Sequence, residues 1–261
     1  MRYGMCTDIA TKTRSEVEYS LLERIAEAGF DYVEFPLMMI ETLDDSEFDK
    51  LLSELDRLGL ACDCSCNYFP GRIKVVGPNA NREEIETYLV KAMGRAARMG
   101  VKKIVFGSNN SRNLPDGEGI EQGYDELCGM LEESVVPFCR KYGITIVMEP
   151  IRRQSANFII TLSDGKKVVD RVGEPEILLL ADLMHMNYNG EDPETLRDVI
   201  GVLRHVHICE WDRVLPEDGY SSFLRHCLDV LKDLNYDETI SFESKDGDLK
   251  KALKQLKQEF N

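Results

Sequence analysis

The chain has 261 residues, 43% of them hydrophobic, enough for a full core and suited to one α/β domain. Its 47 acidic against 32 basic residues give a net charge of −15, which argues against DNA, RNA or anionic membranes as partners, because phosphate binding needs clustered Lys and Arg. The N-terminal stretch lacks the continuous apolar run of a signal peptide and no segment approaches the ~18 apolar residues of a membrane span, so a cytoplasmic location is expected.

In chain order, short apolar runs alternate with amphipathic stretches. Strands are expected at about 2–8, 31–35, 60–66, 102–107, 144–149, 177–182, 203–209 and 239–243. A recurring phrase introduces most of them, a helix end followed by Gly or Asn and then an apolar run: AEAGFDYVEF, DRLGLACDC, ARMGVKKIVF, RKYGITIVME and KDLNYDETISFE. The Gly or Asn supplies the left-handed helix stop. Between them, SEVEYSLLERIAEA and REEIETYLVKAMGRAARM carry apolar residues at helical spacing, as helices covering a sheet do. Strands alternating with helices imply a parallel sheet, and eight such units close a (β/α)8 TIM barrel, expected as a single domain over residues 1–261. Cys62, Cys64 and Cys66 fall on the third expected strand and share one face, about 6.6 Å apart, too spread for one tetrahedral zinc. Like the rest of the eight cysteines, they are expected as free, buried thiols.

Long connections follow the third, fourth, fifth and seventh strands: NYFPGRIKVVGPNAN, GSNNSRNLPDGEG, PIRRQSANFIITLSDG and EWDRVLPEDGYSS. All lie on the face where such barrels do their chemistry, and this much loop encloses a small polar molecule. On the same face, Glu149, Asp182, His207 and Glu243 each end an apolar run, at intervals of 33, 25 and 36 residues. A strand-end carboxylate alone often caps a helix, and a lone His there is usually a hydrogen-bonded core residue. Four consecutive strands ending in metal-competent side chains exceed what capping explains, and two Glu, one Asp and one His make an oxygen-rich divalent site. His205 and His207 lie two apart and face the same way; His207, nearer the strand's C-terminal end, is taken as the ligand. Glu34 and Asn67, at the ends of the second and third strands, are candidates for substrate contact, with helix capping as their plainer role. Trp211, the only tryptophan, is a candidate to stack on a ring of the bound molecule or to anchor its loop. Ser108 and Arg112 in GSNNSR are weaker candidates for meeting an anion.

With NYFP, VFGSNNSRNLPDG, VMEPIRR, LLLADLMHM, HVHICEWDR and ISFE in view, the chain resembles the sugar phosphate isomerase/epimerase barrels related to xylose isomerase, in particular the D-tagatose/D-psicose 3-epimerase branch. The resemblance runs from YGMC to SFES and implies a xylose isomerase-like TIM barrel. It implies that Glu149, Asp182, His207 and Glu243 hold one divalent ion, manganese first, with cobalt, magnesium or zinc as other candidates. It also implies that His185 and Arg213 contact substrate. One stretch departs: the pattern after the fifth strand reads EPxNRxE in such epimerases and EPIRRQS here, with Arg152 in place of Asn and Ser155 in place of a substrate-binding Glu. That exchange raises local positive charge and makes Arg152 a candidate for reading a carboxylate or phosphate on the substrate.

The expected function is thus a metal-dependent sugar isomerase or epimerase acting on a ketose or ketose-like molecule, phosphorylated or acidic in one version. Chelation of a carbonyl and adjacent hydroxyl stabilises an enediolate, and Glu149 and Glu243 serve as the acid/base pair. The same enolisation followed by loss of a β-substituent would make a lyase or dehydratase on a keto-inositol or 3-keto-glycoside. A non-catalytic sugar-binding barrel is the alternative outside enzymology, and a homo-oligomer is compatible with all three. An abasic-DNA endonuclease fits poorly with four His and a net charge of −15.

Overall fold

The computed structural model describes residues 1–11 and 16–260. Eight parallel strands close on one another in sequence order. They are β1 (Arg2–Cys6), β2 (Tyr32–Pro36), β3 (Cys64–Cys66), β4 (Lys103–Phe106), β5 (Thr145–Met148), β6 (Ile177–Asp182), β7 (Leu203–Ile208) and β8 (Thr239–Phe242). β1 pairs with β8 from Arg2↔Thr239 to Met5↔Phe242, which seals the barrel. The helices between strands lie outside; the amphipathic stretch expected from Ser15 forms the helix Tyr19–Ala28, with Ser15 itself outside the described residues. Gly143 (φ +66°) and Asn235 (φ +53°) take the left-handed conformation before β5 and β8, which is the stop that the recurring phrase foretells. Among the described residues, no helix is long and apolar enough to cross a membrane.

Two boundaries depart from expectation. β1 ends at Cys6 rather than 8, because Thr7–Ala10 turns into a short helix over the barrel mouth. β3 begins at Cys64 rather than 60: the Asp63 carbonyl accepts from the Lys102 and Lys103 N–H groups (2.8 and 3.1 Å), and the Asp63 side chain takes Arg2 Nε (2.5 Å). Cys62 therefore lies before the strand and packs in the large outer cluster, whereas Cys66 belongs to the inner one. All eight cysteines are free and buried.

Period-two alternation divides the strands into an outer face under the helices and an inner face filling the barrel. Cys6, Cys66, Val105, Val147 and Leu180 make a small apolar layer inside. Toward the N-terminal ends of the strands the filling is polar: Tyr32 Oη meets Ser241 Oγ (2.9 Å), and Lys103 Nζ meets Glu238, the Arg204 carbonyl and Thr239 Oγ1 (2.7, 2.7 and 3.1 Å). Advancing by two along β5 to β8 from inward-facing Val147, Leu180, His205 and Ser241 brings Glu149, Asp182, His207 and Glu243 to the C-terminal mouth.

Candidate metal centre and its pocket

The strand ends converge as the sequence spacing implies. Asp182 pairs directly with His207 across β6 and β7, while the Glu149 N–H bonds the Phe106 carbonyl and the Glu243 N–H bonds the Ile208 carbonyl (3.2 and 3.1 Å), extending the ladder one residue beyond each strand. One ligand atom from each of Glu149, Asp182, His207 and Glu243 lies within 4.8 Å of the others, and all four residues are buried. Glu149 Oε1 is buried without a hydrogen-bond partner, although His207 Nδ1 approaches it at 3.6 Å. Room for this carboxylate comes from Gly107 at the end of β4, where a Cβ would lie 2.1 Å from Glu149 Oε2.

His207 is held from both sides. Its Nε2 donates to Glu34 Oε1 (3.1 Å), since an ionised carboxylate only accepts, and its Nδ1 faces Glu243 Oε2 (3.1 Å). Glu34 Oε2 accepts from His205 Nε2 (3.2 Å), and His205 Nδ1 lies 2.8 Å from the Thr239 hydroxyl. Burial lowers the His205 pKa, so the ring is neutral and its Nδ1 accepts that hydroxyl proton. Burial also opposes charge on Glu34, but His207 and His205 outweigh it and hold its carboxyl far below the usual range. Thr239, His205, Glu34 and His207 therefore form one column of hydrogen bonds that leaves the His207 Nδ1 edge turned to the cluster. A carboxylate behind a ligating imidazole is the arrangement that fixes ring orientation and raises ligand basicity in metal sites.

Electrostatics press the same way. Burial pulls the His207 pKa down, yet Glu34 and Glu243 more than reverse this and push it well above the ordinary value, so the carboxylates demand positive charge at that spot. Burial opposes ionisation of Asp182 as well, but His185, Arg213 and His207 hold it well below the carboxylate range. Glu149 is raised, chiefly by burial and then by the neighbouring Glu243. The donor set of three carboxylates and one imidazole, a buried orphaned oxygen and a glycine cradle together fit a divalent cation.

Above the cluster lies a cavity of about 330 Å³ lined by Glu149 and Glu243 together with His185, Arg213, Arg152, Asn67 and the Gly107–Asn109 turn. Arg213 Nη1 donates to Asp182 Oδ2 (2.9 Å) and to Glu243 Oε2, and its Nη2 donates to His185 Nε2 (3.2 Å). Because arginine only donates, His185 accepts at Nε2 and carries its proton on Nδ1, an atom buried without a protein partner. Asp212 and Arg213 both hold positive φ (+54° and +60°), so the guanidinium is delivered by a strained turn.

Two expected substrate contacts lie elsewhere. Glu34 is fully buried beneath His207 with both oxygens taken by imidazoles, and so serves the ligand rather than the cavity. Trp211 stands on the rim, 49% exposed and edge-on to Tyr188 with ring centroids 3.9 Å apart, outside the cavity lining. Nor is Arg112 available to an anion. It is wholly buried and donates to the carbonyls of Gly107 (2.7 Å), Glu149 (2.7 Å) and Phe158 (3.3 Å), and burial pulls its pKa down to about 10. It thereby pins the backbone on both sides of the Glu149 carboxylate, a role that no local sequence signal announces.

Comparison with known proteins agrees with this fold. The family model described as a xylose isomerase-like TIM barrel matches residues 22–260. A D-psicose 3-epimerase of Agrobacterium fabrum is 20% identical over 226 residues, covering 85% of this chain and 77% of its own. A probable ketose 3-epimerase of Synechocystis is 23% identical over 248 residues, 94% of this chain and 84% of its own. The crystal structure of a D-allulose 3-epimerase from Methylomonas in complex with D-allulose superposes with a TM-score of 0.84 at 19% identity, over 99% of this chain and 97% of the other.

Proposed function

Because this chain belongs to the xylose isomerase-like TIM barrel family, we propose that it is a divalent-metal-dependent epimerase or isomerase that moves a proton at the carbon beside the carbonyl of a ketose or ketose-like sugar. The observation that carries this reading is the buried cluster of Glu149, Asp182, His207 and Glu243 beneath a cavity of monosaccharide scale. The 3-epimerases among its relatives support it. Those four residues would hold the ion, and manganese suits their mainly oxygen donor set. When bound, the ion would supply Lewis acidity toward the carbonyl and neighbouring hydroxyl oxygens, which acidifies the adjacent C–H bond.

The remaining work falls to side chains. Glu149 and Glu243 come from strands three apart around the barrel and so approach the cavity from different sides. One takes the proton from one face of the carbon and the other returns a proton to the opposite face, which inverts that centre. The raised basicity of Glu149 suits a group that must pick up a proton. His185 offers its Nδ1–H to a substrate oxygen while Arg213 fixes its Nε2, and Arg213 also keeps Asp182 and Glu243 in place.

The test is solvent exchange. Manganese-loaded protein, incubated in D₂O with a panel of ketoses, keto-inositols and 3-keto-glycosides, should place deuterium beside the carbonyl of at least one. Glu149→Gln and Glu243→Gln should each slow inversion of that carbon by at least ~10², the usual contribution of an acid/base group, with an unchanged circular dichroism spectrum. Release of a β-substituent would move the activity to a lyase, and undiminished inversion in either variant would refute the two-carboxylate scheme.

A further inference from the structure

The cavity holds two guanidinium groups in different electrostatic situations. Arg213 is spent on Asp182 and Glu243. Arg152 has no carboxylate partner among the described residues; its Nε donates to Ser155 Oγ (3.1 Å), and its guanidinium lies over the Tyr188 ring at 4.6 Å. Both Arg152 and Ser155 line the cavity.

This side chain is also restrained. The Ser155 and Ala156 N–H groups bond the Arg152 carbonyl (2.9 and 3.2 Å), closing a turn, and Asn109 Nδ2 ties that turn to the β4 loop through the Ser155 carbonyl (2.5 Å). Tyr188 is fixed in its turn, with Oη donating to Asp212 Oδ1 (3.2 Å) and the ring edge-on to Trp211. With Nε engaged and one face on an aromatic ring, the guanidinium has little freedom left, while its two terminal NH₂ groups have no protein acceptor among the described residues. A planar pair of donors, held in place and carrying an unmatched charge, is matched by two oxygens of an anion in a bidentate contact.

We infer that Arg152 anchors an anionic group on the substrate, a carboxylate or a phosphate, so that the enzyme acts on an acidic or phosphorylated ketose in preference to a neutral one. This rests on the ketose reading of the pocket and adds the substrate class to it.

Calorimetric titration of the manganese-loaded protein with D-fructose, D-fructuronate and D-fructose 6-phosphate tests the inference, the last two arms distinguishing carboxylate from phosphate. One anionic ketose should bind about tenfold to a hundredfold more tightly than D-fructose, as a charge-assisted contact implies. Arg152→Gln should bring the affinities to within about twofold of one another. Ser155→Glu, which leaves Arg152 in place and offers it a carboxylate at a position its Nε already contacts, should do the same. Equal or weaker binding of both anions by the parent, or a preference that survives Arg152→Gln, overturns the inference. Deuterium exchange on the same three compounds separates it from the reading beneath. Exchange without anion preference removes only the Arg152 assignment, whereas anion preference without exchange keeps Arg152 as an anion anchor and removes the epimerase.

Discussion

Glu34→Gln is the sharpest probe of the metal centre, because Glu34 touches neither cavity nor cluster carboxylate and acts only through His207. The side chain is fully buried, with His207 Nε2 at 3.1 Å and His205 Nε2 at 3.2 Å from its two oxygens. Glutamine has the same shape. Its amide oxygen still accepts from His207, and its NH₂ can donate to His205 once that ring moves its proton to Nδ1, where the Thr239 carbonyl waits at 3.1 Å. Both hydrogen bonds thus survive, and removing a buried charge offsets what they lose in strength, so unfolding in urea should change by no more than about 1 kcal/mol. What disappears is the negative charge behind the ligating ring. Loss of such an orienting carboxylate commonly weakens metal binding 10- to 100-fold, about 1.4 to 2.7 kcal/mol. Chelator competition with Mn²⁺ at neutral pH measures it. The proton on His207 competes with the cation, and Glu34 is one of the charges that raises the His207 pKa; the deficit of the variant should therefore shrink as pH falls. Manganese affinity within about twofold of the parent, at a pH where His207→Ala abolishes binding, would show that the column of hydrogen bonds does not tune the site.

Gly107→Ala should cost about 10² in exchange rate with little loss of stability, because its new Cβ would fall 2.1 Å from Glu149 Oε2 and a displacement on the order of 1 Å at a reacting group is that expensive; a rate within threefold of the parent would mean that Glu149 does not work from this position. Glu191→Gln addresses stability. Burial pushes the Glu191 carboxyl from 4.5 up to about 7, against the opposing bond from the Leu162 N–H (2.9 Å). A raised carboxyl pKa favours the folded state fully at pH values below the unfolded one, and that contribution is lost as pH rises through 4.5 to 7. At pH 8 the glutamine variant should therefore be more stable by about 2 kcal/mol, after discounting roughly 1.4 kcal/mol per pKa unit for partial exposure, and near parity at pH 4. Equal urea midpoints at pH 8 would contradict it.

The fold was legible because most units repeat one local signal, a left-handed Gly or Asn followed by an apolar run, and local signals survive without knowledge of partners. β3 was overextended for the converse reason. LACDC is apolar enough to read as strand, but its backbone is redirected at Asp63 by bonds to Lys102 and Lys103, residues some forty positions away. The four cluster residues were legible through strand-end position and period two. Glu34 was misread since its strand-end place suits a substrate contact equally well, and only the third dimension brings both imidazoles of β7 onto it. A signal existed, however: two inward histidines two residues apart require an acceptor inside the barrel. Gly107 carried a fainter one, a glycine at a strand end where another group approaches closely. Arg112 carried none, for GSNNSR reads as solvated loop while the guanidinium is in fact enclosed by three carbonyls.

The charge balance of the barrel mouth favours a divalent over a monovalent ion. Glu34, Glu149, Asp182 and Glu243 are four carboxylates, each at most 7% exposed, and Arg213 is the guanidinium that pairs with this group. Burial and Glu243 raise the Glu149 carboxyl, so its ionised form, the one that ligates and takes up a proton, is the form that most needs a cation beside it. His205 stays neutral and Glu34 already saturates its two imidazoles, which leaves the unsatisfied oxygen of Glu149 and the Nδ1 edge of His207 as the point that calls for further positive charge. In a buried site an uncompensated charge costs several kcal/mol. A proton on His207 supplies one positive charge there. A divalent cation supplies two, leaving His207 neutral, the form in which imidazole ligates metal.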